Sequence, residues 1–283
     1  MANLKALFLR MKSVKSIQKT TKVMQMISAA KLRQVQQRLN NARMHMLELS
    51  KIIDTNVVSK NNECTDRHNK KDILLVIMSS DRGLCGNFNN MIVKFAKSYI
   101  EELESCGKNV KLLFFGKVAY NMMCSQYSSK ILDVFSNIQS ITDFLSFKLF
   151  LYGSGVDFNQ FIDVMVLFNK FYTTILQKPT VEQLMPCNID ISVSLKEYYK
   201  YEPAYLNVLS TMSLSYILNL MYIAFLENCA SEHSSRVIAM ESANNNTKEM
   251  LSKLVLQYNR SRQAAITTDL IEVISGFESL GNQ

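Results

Sequence analysis

"DILLVIMSSDRGLCGNFN", Asp72 to Asn89, joins an unbroken apolar run to a loop holding two glycines. A short apolar run closed by turn residues reads as a strand buried on both faces, the kind found inside a parallel sheet. A glycine-bearing loop directly after such a strand is where many α/β proteins hold a phosphate. The phosphate-binding spacings are nevertheless absent. A Walker loop needs G-x-x-x-x-G-K followed by Ser or Thr, whose backbone N–H groups and lysine cradle the phosphates. Gly83 and Gly86 supply only G-x-x-G, and Gly153 with Gly155 supplies G-x-G without a third glycine. Pattern alone favours a strand-to-helix turn whose glycines serve backbone geometry, with nucleotide binding as the alternative.

Outward from this strand, residues 72 to 202 alternate apolar runs with helical-looking stretches. The runs are "ILLVIMS", "VKLLFFG", "ILDVF" and "IDVMVLFNKF", and "NNMIVKFAKSYIEELESCG" is the clearest helix. That order predicts a mostly parallel sheet with crossover helices, with a further strand before Pro203 in either "EYYKYEP" or its neighbour "IDISVSL". All eight glycines and three prolines lie between Gly83 and Gly281, leaving residues 1–82 and 204–275 without either. Because these residues are the most costly inside a helix, the unbroken ends predict long helices. Leu32, Val35, Leu39, Ala42, Met46, Leu49 and Ile53 step alternately by 3 and 4, as do Ile266, Leu270, Val273, Phe277 and Leu280. That is the seam of a coiled coil, each helix offering a narrow stripe to another. A helix from Pro203 to Leu280 would be about 115 Å long, and one ending near residue 57 roughly 80 Å. Such helices pack on each other and project from the body, or lie in a partner's cavity. The expected domains are an N-terminal helix over 1–60, an α/β domain over 61–203 and a C-terminal helix over 204–283.

Charge is divided unevenly along this plan. Residues 1–60 carry twelve Lys and Arg against Glu48 and Asp54, a net +10, while the remaining 20 basic and 22 acidic residues give −2. The N-terminal helix is thus built to meet an acidic surface, whether nucleic acid, anionic lipid or an acidic protein loop. Nucleic acid is the weaker option, because no Phe or Tyr lies between residues 9 and 87 to stack on bases. The longest apolar stretch, Tyr216 to Leu226, is far short of the roughly 18 residues a membrane span needs. The start, "MANLKALFLRMKSVK", does not read as a secretory signal, so a cytosolic location is expected. Six scattered cysteines form no C-x-x-C pair, which argues against both a metal site and a disulfide framework.

Two further clusters invite chemical readings. In "ENCASEHSSRVIAM", Ser231, Glu232, His233 and Ser234 suggest a nucleophile, base and orienting acid. Adjacent helical residues point in different directions, however, and Glu232 with Arg236 at i and i+4 reads instead as a surface ion pair. In "KVMQMISAAKL", Met24 and Met26 adjoin Ser28, Ala29 and Ala30, a combination that permits close backbone approach or simply faces a core.

Taken together, these segments resemble the γ subunits of F-type ATP synthases. The carriers are "MKSVKSIQKTTKVMQMISAAKLRQVQQR", "SDRGLCGNFN", "PTVEQLMP", "ENCASEHSSRVIAMESANNN" and "YNRSRQAAITTDLIEVISG", in order over nearly the whole chain. The resemblance implies an α/β fold class: an antiparallel coiled coil of the two termini with a Rossmann-like domain at the foot. It implies a non-catalytic central shaft, one copy per complex, turning inside a hexamer of α and β subunits and riding with the ε subunit on the membrane c-ring. ATP, ADP and Mg²⁺ would be held by the partner subunits and no cofactor by this chain. The place would be peripheral, on the cytoplasmic face of a bacterial inner membrane. By the same resemblance Arg262, Gln263 and Thr267 meet a β-subunit loop, with Met24 at the facing N-terminal position. Asp81 and Arg82 become candidates for a subunit contact.

Overall fold

The computed structural model describes residues 2–52, 72–138, 141, 143–153, 155, 158–185 and 205–281. The expected domain boundaries at 60/61 and 203/204, the helix start at Pro203 and the strand expected before it lie outside the described residues.

The quoted apolar run forms β1 (Asp72–Met78), the middle of a five-stranded sheet. It pairs in parallel with β2 (Asn109–Phe115) on one side and β4 (Asp163–Phe171) on the other. β3 (Ile131–Phe135) lies parallel to β2, and β5 (Gln177–Met185) runs antiparallel to β4, giving the order β3-β2-β1-β4-β5. Pro179, inside the "PTVEQLMP" segment, sits on β5 opposite Asn169. An edge strand tolerates it because the missing N–H faces no further strand.

Ile73 to Met78 are all within 1% of complete burial because the sheet is covered on both faces. Alternation divides them. Ile73, Leu75 and Ile77 join Ile92, Ala96 and Ile100 of α2 (Phe88–Ser105) and Met123 of α3 (Lys117–Tyr127). Leu74, Val76 and Met78 face the other way, toward Phe147 and Leu151 of α4 (Phe144–Gly153) and toward two very long helices, α1 (Ala2–Ile52) and α5 (Tyr205–Gly281). From α1 come Leu32, Val35, Leu39 and Ala42, the predicted seam; from α5 come Leu218, Met221, Tyr222 and Phe225. Aromatic rings fill the space between, with Phe147 at 5.3 Å from both Tyr222 and Phe225. Each such side chain contributes about 1.5–3 kcal/mol by its burial.

Two compact units emerge, Ser28–Arg236 and Met1–Ile27 with Val237–Gln283. In the first, Arg43 of α1 meets Glu227 of α5 and Lys31 lines a cavity with Glu232, so the two helices run antiparallel. In the second, Leu7 and Val14 pack on Leu254, and the Phe8 and Tyr258 rings stand 6.4 Å apart. Lys19 and Lys22 there share a groove with Asn244 and Lys248, again an antiparallel order. The antiparallel coiled coil and the α/β sheet are therefore both present as the sequence predicts. The C-terminal seam is different. Ile266, Leu270 and Val273 are each more than half exposed, as are Ile271 and Ile274 between them. With Phe8 beside Tyr258, α5 has by this point run past the first described residue of α1, so among the described residues no helix is left to cover it.

Among the described residues no helix is long and apolar enough to cross a membrane.

Candidate functional site

Ligands of open α/β sheets bind outside the carboxyl ends of the strands, where the strand order reverses. That switch point lies between β1 and β4, and the Ser79–Asn87 loop leaves β1 beside it. The crevice is filled by the chain's own α5. Asn228 bridges the two strands: its Nδ2 donates to the Ser79 carbonyl at 3.4 Å and its Oδ1 accepts the Asn169 N–H at 3.3 Å. One turn on, Ser231 Oγ donates to the Asn169 carbonyl at 2.8 Å; one further turn on, Ser235 Oγ donates to the Cys85 carbonyl at 2.7 Å. Ser234 Oγ reaches the Thr174 carbonyl, in the turn between β4 and β5, at 2.7 Å. A polar stripe at i, i+3 and i+7 thus supplies hydrogen bonds to backbone groups that a ligand would otherwise meet.

The loop is also held from within. Ser80 N–H donates to Asn89 Oδ1 at 3.2 Å, Asn89 Nδ2 donates to Ser80 Oγ at 2.8 Å, and Ser80 Oγ donates to the Arg82 carbonyl at 2.8 Å. Gly86 takes a left-handed conformation at φ 60°, the role expected of a loop glycine, but Gly83 does not; Leu84 takes it instead, at φ 63°. The glycine that the site cannot replace lies elsewhere. Gly116, between β2 and α3, has φ 99°, and an added Cβ would stand 2.6 Å from Ser79 Oγ and 2.8 Å from the Ser80 carbonyl.

Glu232 and Arg236 do form an ion pair, at 2.6 Å, but the expected surface location is wrong: both side chains are less than a tenth exposed. The i, i+4 spacing fixes the pairing and says nothing about which face is covered. Arg236 also donates to the Arg82 and Gly83 carbonyls, both at 3.4 Å, so it ties α5 to the loop. Burial raises the Glu232 carboxyl above its ordinary range, and the Arg236 guanidinium opposes that shift. Burial, aided by Arg236 and Lys31, lowers His233 to about 4, so the ring is neutral at pH 7. Its Nδ1 is 3.3 Å from Arg236 Nη1, while Ser231 and Ser234 spend their hydroxyls on backbone carbonyls. No serine nucleophile is therefore set up against His233. Burial likewise raises the thiols of Cys85 and, strongly, Cys229. Among the described residues no group of three or more His, Cys, Asp or Glu is placed to hold a metal ion.

Asp81 is half-buried and its Oδ2 accepts the Ile138 N–H at 2.6 Å, whereas the Arg82 side chain is exposed. Arg262, Gln263 and Thr267 are exposed on α5, where Thr267 Oγ1 donates to the Gln263 carbonyl at 2.9 Å. Met24 is half-buried on α1. The structure does not bring it level with Arg262: its α1 neighbours Lys22 and Val23 lie beside Asn244, about 27 Å along α5 from Arg262 at 1.5 Å per residue. Sequence reasoning missed Asn228, Asn169 and Gly116. The stripe Asn228, Ser231 and Ser235 on an otherwise apolar helix was the signal available for the first.

The family described as ATP synthase matches residues 3–280. The chain is 99% identical to the ATP synthase gamma chain of Ehrlichia ruminantium (strain Welgevonden) over the full length of both. It is 45% identical to that of Wolbachia pipientis subsp. Culex pipiens, covering 99% of this chain and 100% of the other. In fold it is similar to a chain of the Euglena gracilis mitochondrial ATP synthase assembly of OSCP, F1 and c-ring. The TM-score is 0.69 at 16% identity, over 99% of this chain and 95% of that one. A crevice closed by its own helix, two antiparallel helices and full-length identity lead to one conclusion: the chain belongs to the family of ATP synthase γ chains.

Proposed function

We propose that this γ chain, a central-stalk subunit and not a catalytic one, is the rotor shaft that couples proton flow through a membrane ring to ATP synthesis or hydrolysis. The observation that carries the reading is the bare apolar end of α5. Ile266, Leu270, Ile271, Val273 and Ile274 are each more than half exposed, on several sides of the helix. A helix apolar on several sides is built to be surrounded. A hexamer of α and β subunits provides such a sleeve, and the antiparallel α1–α5 pair turns inside it. Each orientation makes different contacts with the three β subunits and so favours a different nucleotide occupancy. ATP, ADP and Mg²⁺ are held by those partners. The foot rides with the ε subunit on the c-ring, at the cytoplasmic face of a bacterial inner membrane, as a peripheral subunit in a single copy. Arg262, Gln263 and Thr267, all exposed, offer polar contacts to a β loop, and Met24 offers a second, separate one. On the α/β domain, Asp81 and Arg82 lie in the loop offered to a neighbouring subunit, with Arg82 supplying the free side chain.

Affinity purification of the tagged chain from membranes that contain the synthase tests the reading. Recovery of α and β with one γ per assembly is the expected result; recovery of the chain alone would overturn it.

A further inference from the structure

We propose that the cavity where the Ser79–Asn87 loop meets α1 and α5 binds a small zwitterion, an apolar α-amino acid. It lies within the Ser28–Arg236 unit and holds about 120 Å³ of space. Its polar lining carries both signs of charge. Lys31, Gln34 and Arg38 come from one face of α1, Asp81 from the loop and Glu232 from α5. Glu232 already holds Arg236 at 2.6 Å, whereas the Asp81 carboxylate is only half satisfied. Its Oδ2 accepts the Ile138 N–H at 2.6 Å, and its Oδ1 is buried with no hydrogen-bond partner among the described residues. A buried carboxylate oxygen left without a donor is unfavourable, and a ligand that brings one relieves the deficit.

The lining selects the class of ligand. A simple anion would set an acceptor against Asp81, and a simple cation would meet the like charges of Lys31 and Arg38. A zwitterion suits both sides: its ammonium donates to Asp81 Oδ1, and its carboxylate accepts from Arg38, whose planar guanidinium matches that shape, and from the Gln34 amide. The rest of the wall is apolar, from Val35 of α1, Ile138 and Ile141 after β3, and Phe225 and Leu226 of α5, so the ligand's own side chain is hydrocarbon. The space equals about four waters at roughly 30 Å³ each, enough for a short branched side chain and too little for a peptide or a nucleotide. No other subunit enters this site, so its failure and the failure of the rotor reading are separate outcomes.

The test is calorimetric titration of the full-length chain with L-valine at pH 7. One saturable site is expected. Isobutylamine and isobutyrate each keep the hydrocarbon and one of the two charges, and each should bind at least about tenfold more weakly, as loss of a charge-assisted hydrogen bond requires. Asp81→Asn and Arg38→Gln should weaken valine binding to a similar degree, while Lys178→Gln, at an exposed position outside the cavity, should change it less than twofold. Far-ultraviolet circular dichroism confirms that the variants keep the fold, and the two analogues test the ligand class on the parent chain itself. Absence of saturable binding, which would leave the cavity to water alone, an analogue that binds as tightly as valine, or equal weakening by Asp81→Asn and Lys178→Gln would each overturn the proposal.

Discussion

One helix, α5, carries two regions that obey opposite rules. Between Asn228 and Arg236 it buries polar and charged side chains; between Ile266 and Ile274 it exposes large apolar ones. The first region is finished within the chain, since Asn228, Ser231, Ser235 and Arg236 each find a backbone or side-chain partner in the strands and loop around them. The second is left bare, and it is the surface that the proposed sleeve of subunits encloses. The proposed shaft calls for both: a socket that holds α5 to the strands and loop around it, and a bearing surface that slides against something else. Substitutions in the first region should act on the stability of the isolated chain, and substitutions in the second only after assembly.

The largest effect is expected at Arg236. Arg236→Ala leaves Glu232 buried without its cation and strips two loop carbonyls of a donor, a change that costs about 3–5 kcal/mol in comparable buried pairs. Chemical denaturation of the isolated chain measures it; a loss below about 1 kcal/mol would show that the socket is not what holds the loop. Gly116→Ala comes next. The φ of 99° and a Cβ placed 2.6 Å from Ser79 Oγ predict a loss of about 2–3 kcal/mol, together with a shifted Ser79 and weaker seating of Asn228. If the variant unfolds like the parent, the close approach beneath the loop does not matter.

His233 gives the socket a pH signature. Its folded pKa of about 4 lies below the ordinary 6.5, so between these values the unfolded chain binds a proton that the folded chain does not. The contribution is fully present above pH 6.5 and is lost as pH falls toward 4. It amounts to about 2 kcal/mol once residual solvent screening is allowed for. Glu232 works in the opposite sense, because its raised pKa favours the folded state as acidification protonates it. The informative quantity is therefore the difference in pH dependence between the parent and His233→Gln. If the two profiles run parallel from pH 7 to 4.5, the neutral buried ring is not the origin of the slope.

The elements of this fold were legible where local chemistry decided them. The absence of Gly and Pro over residues 1–82 and 204–275 foretold both long helices, and β1 announced itself by an apolar run that only a strand covered on both faces could use. The seam from Leu32 to Ala42 is buried as its spacing required. What the sequence left open depended on which surfaces meet. The i, i+4 rule paired Glu232 with Arg236 but could not say that a loop and a second helix would cover them. Periodicity found two seams but not their mutual register: Lys22 and Val23 of α1 lie beside Asn244, well before the C-terminal seam begins at Ile266. The loop after β1 had the right place for a ligand site, and only the tertiary structure shows Asn228 already seated there.

The smallest effect on the isolated chain, and the sharpest use of the comparison, is expected at the bare end of α5. Ile266→Ser/Leu270→Ser removes two apolar side chains that touch water already, so the stability of the chain should stay within about 0.5 kcal/mol of the parent. In the assembled synthase the same side chains stand to be enclosed, and each then contributes about 1.5–3 kcal/mol by burial. The double variant should therefore unfold like the parent yet be retained poorly by α and β subunits, with ATP hydrolysis less tightly coupled to proton pumping. Arg236→Ala should show the reverse order, losing chain stability first. Were the double serine variant to assemble and pump normally, the exposed apolar end would not be a bearing, and the opposition between the two regions of α5 would have no mechanical meaning.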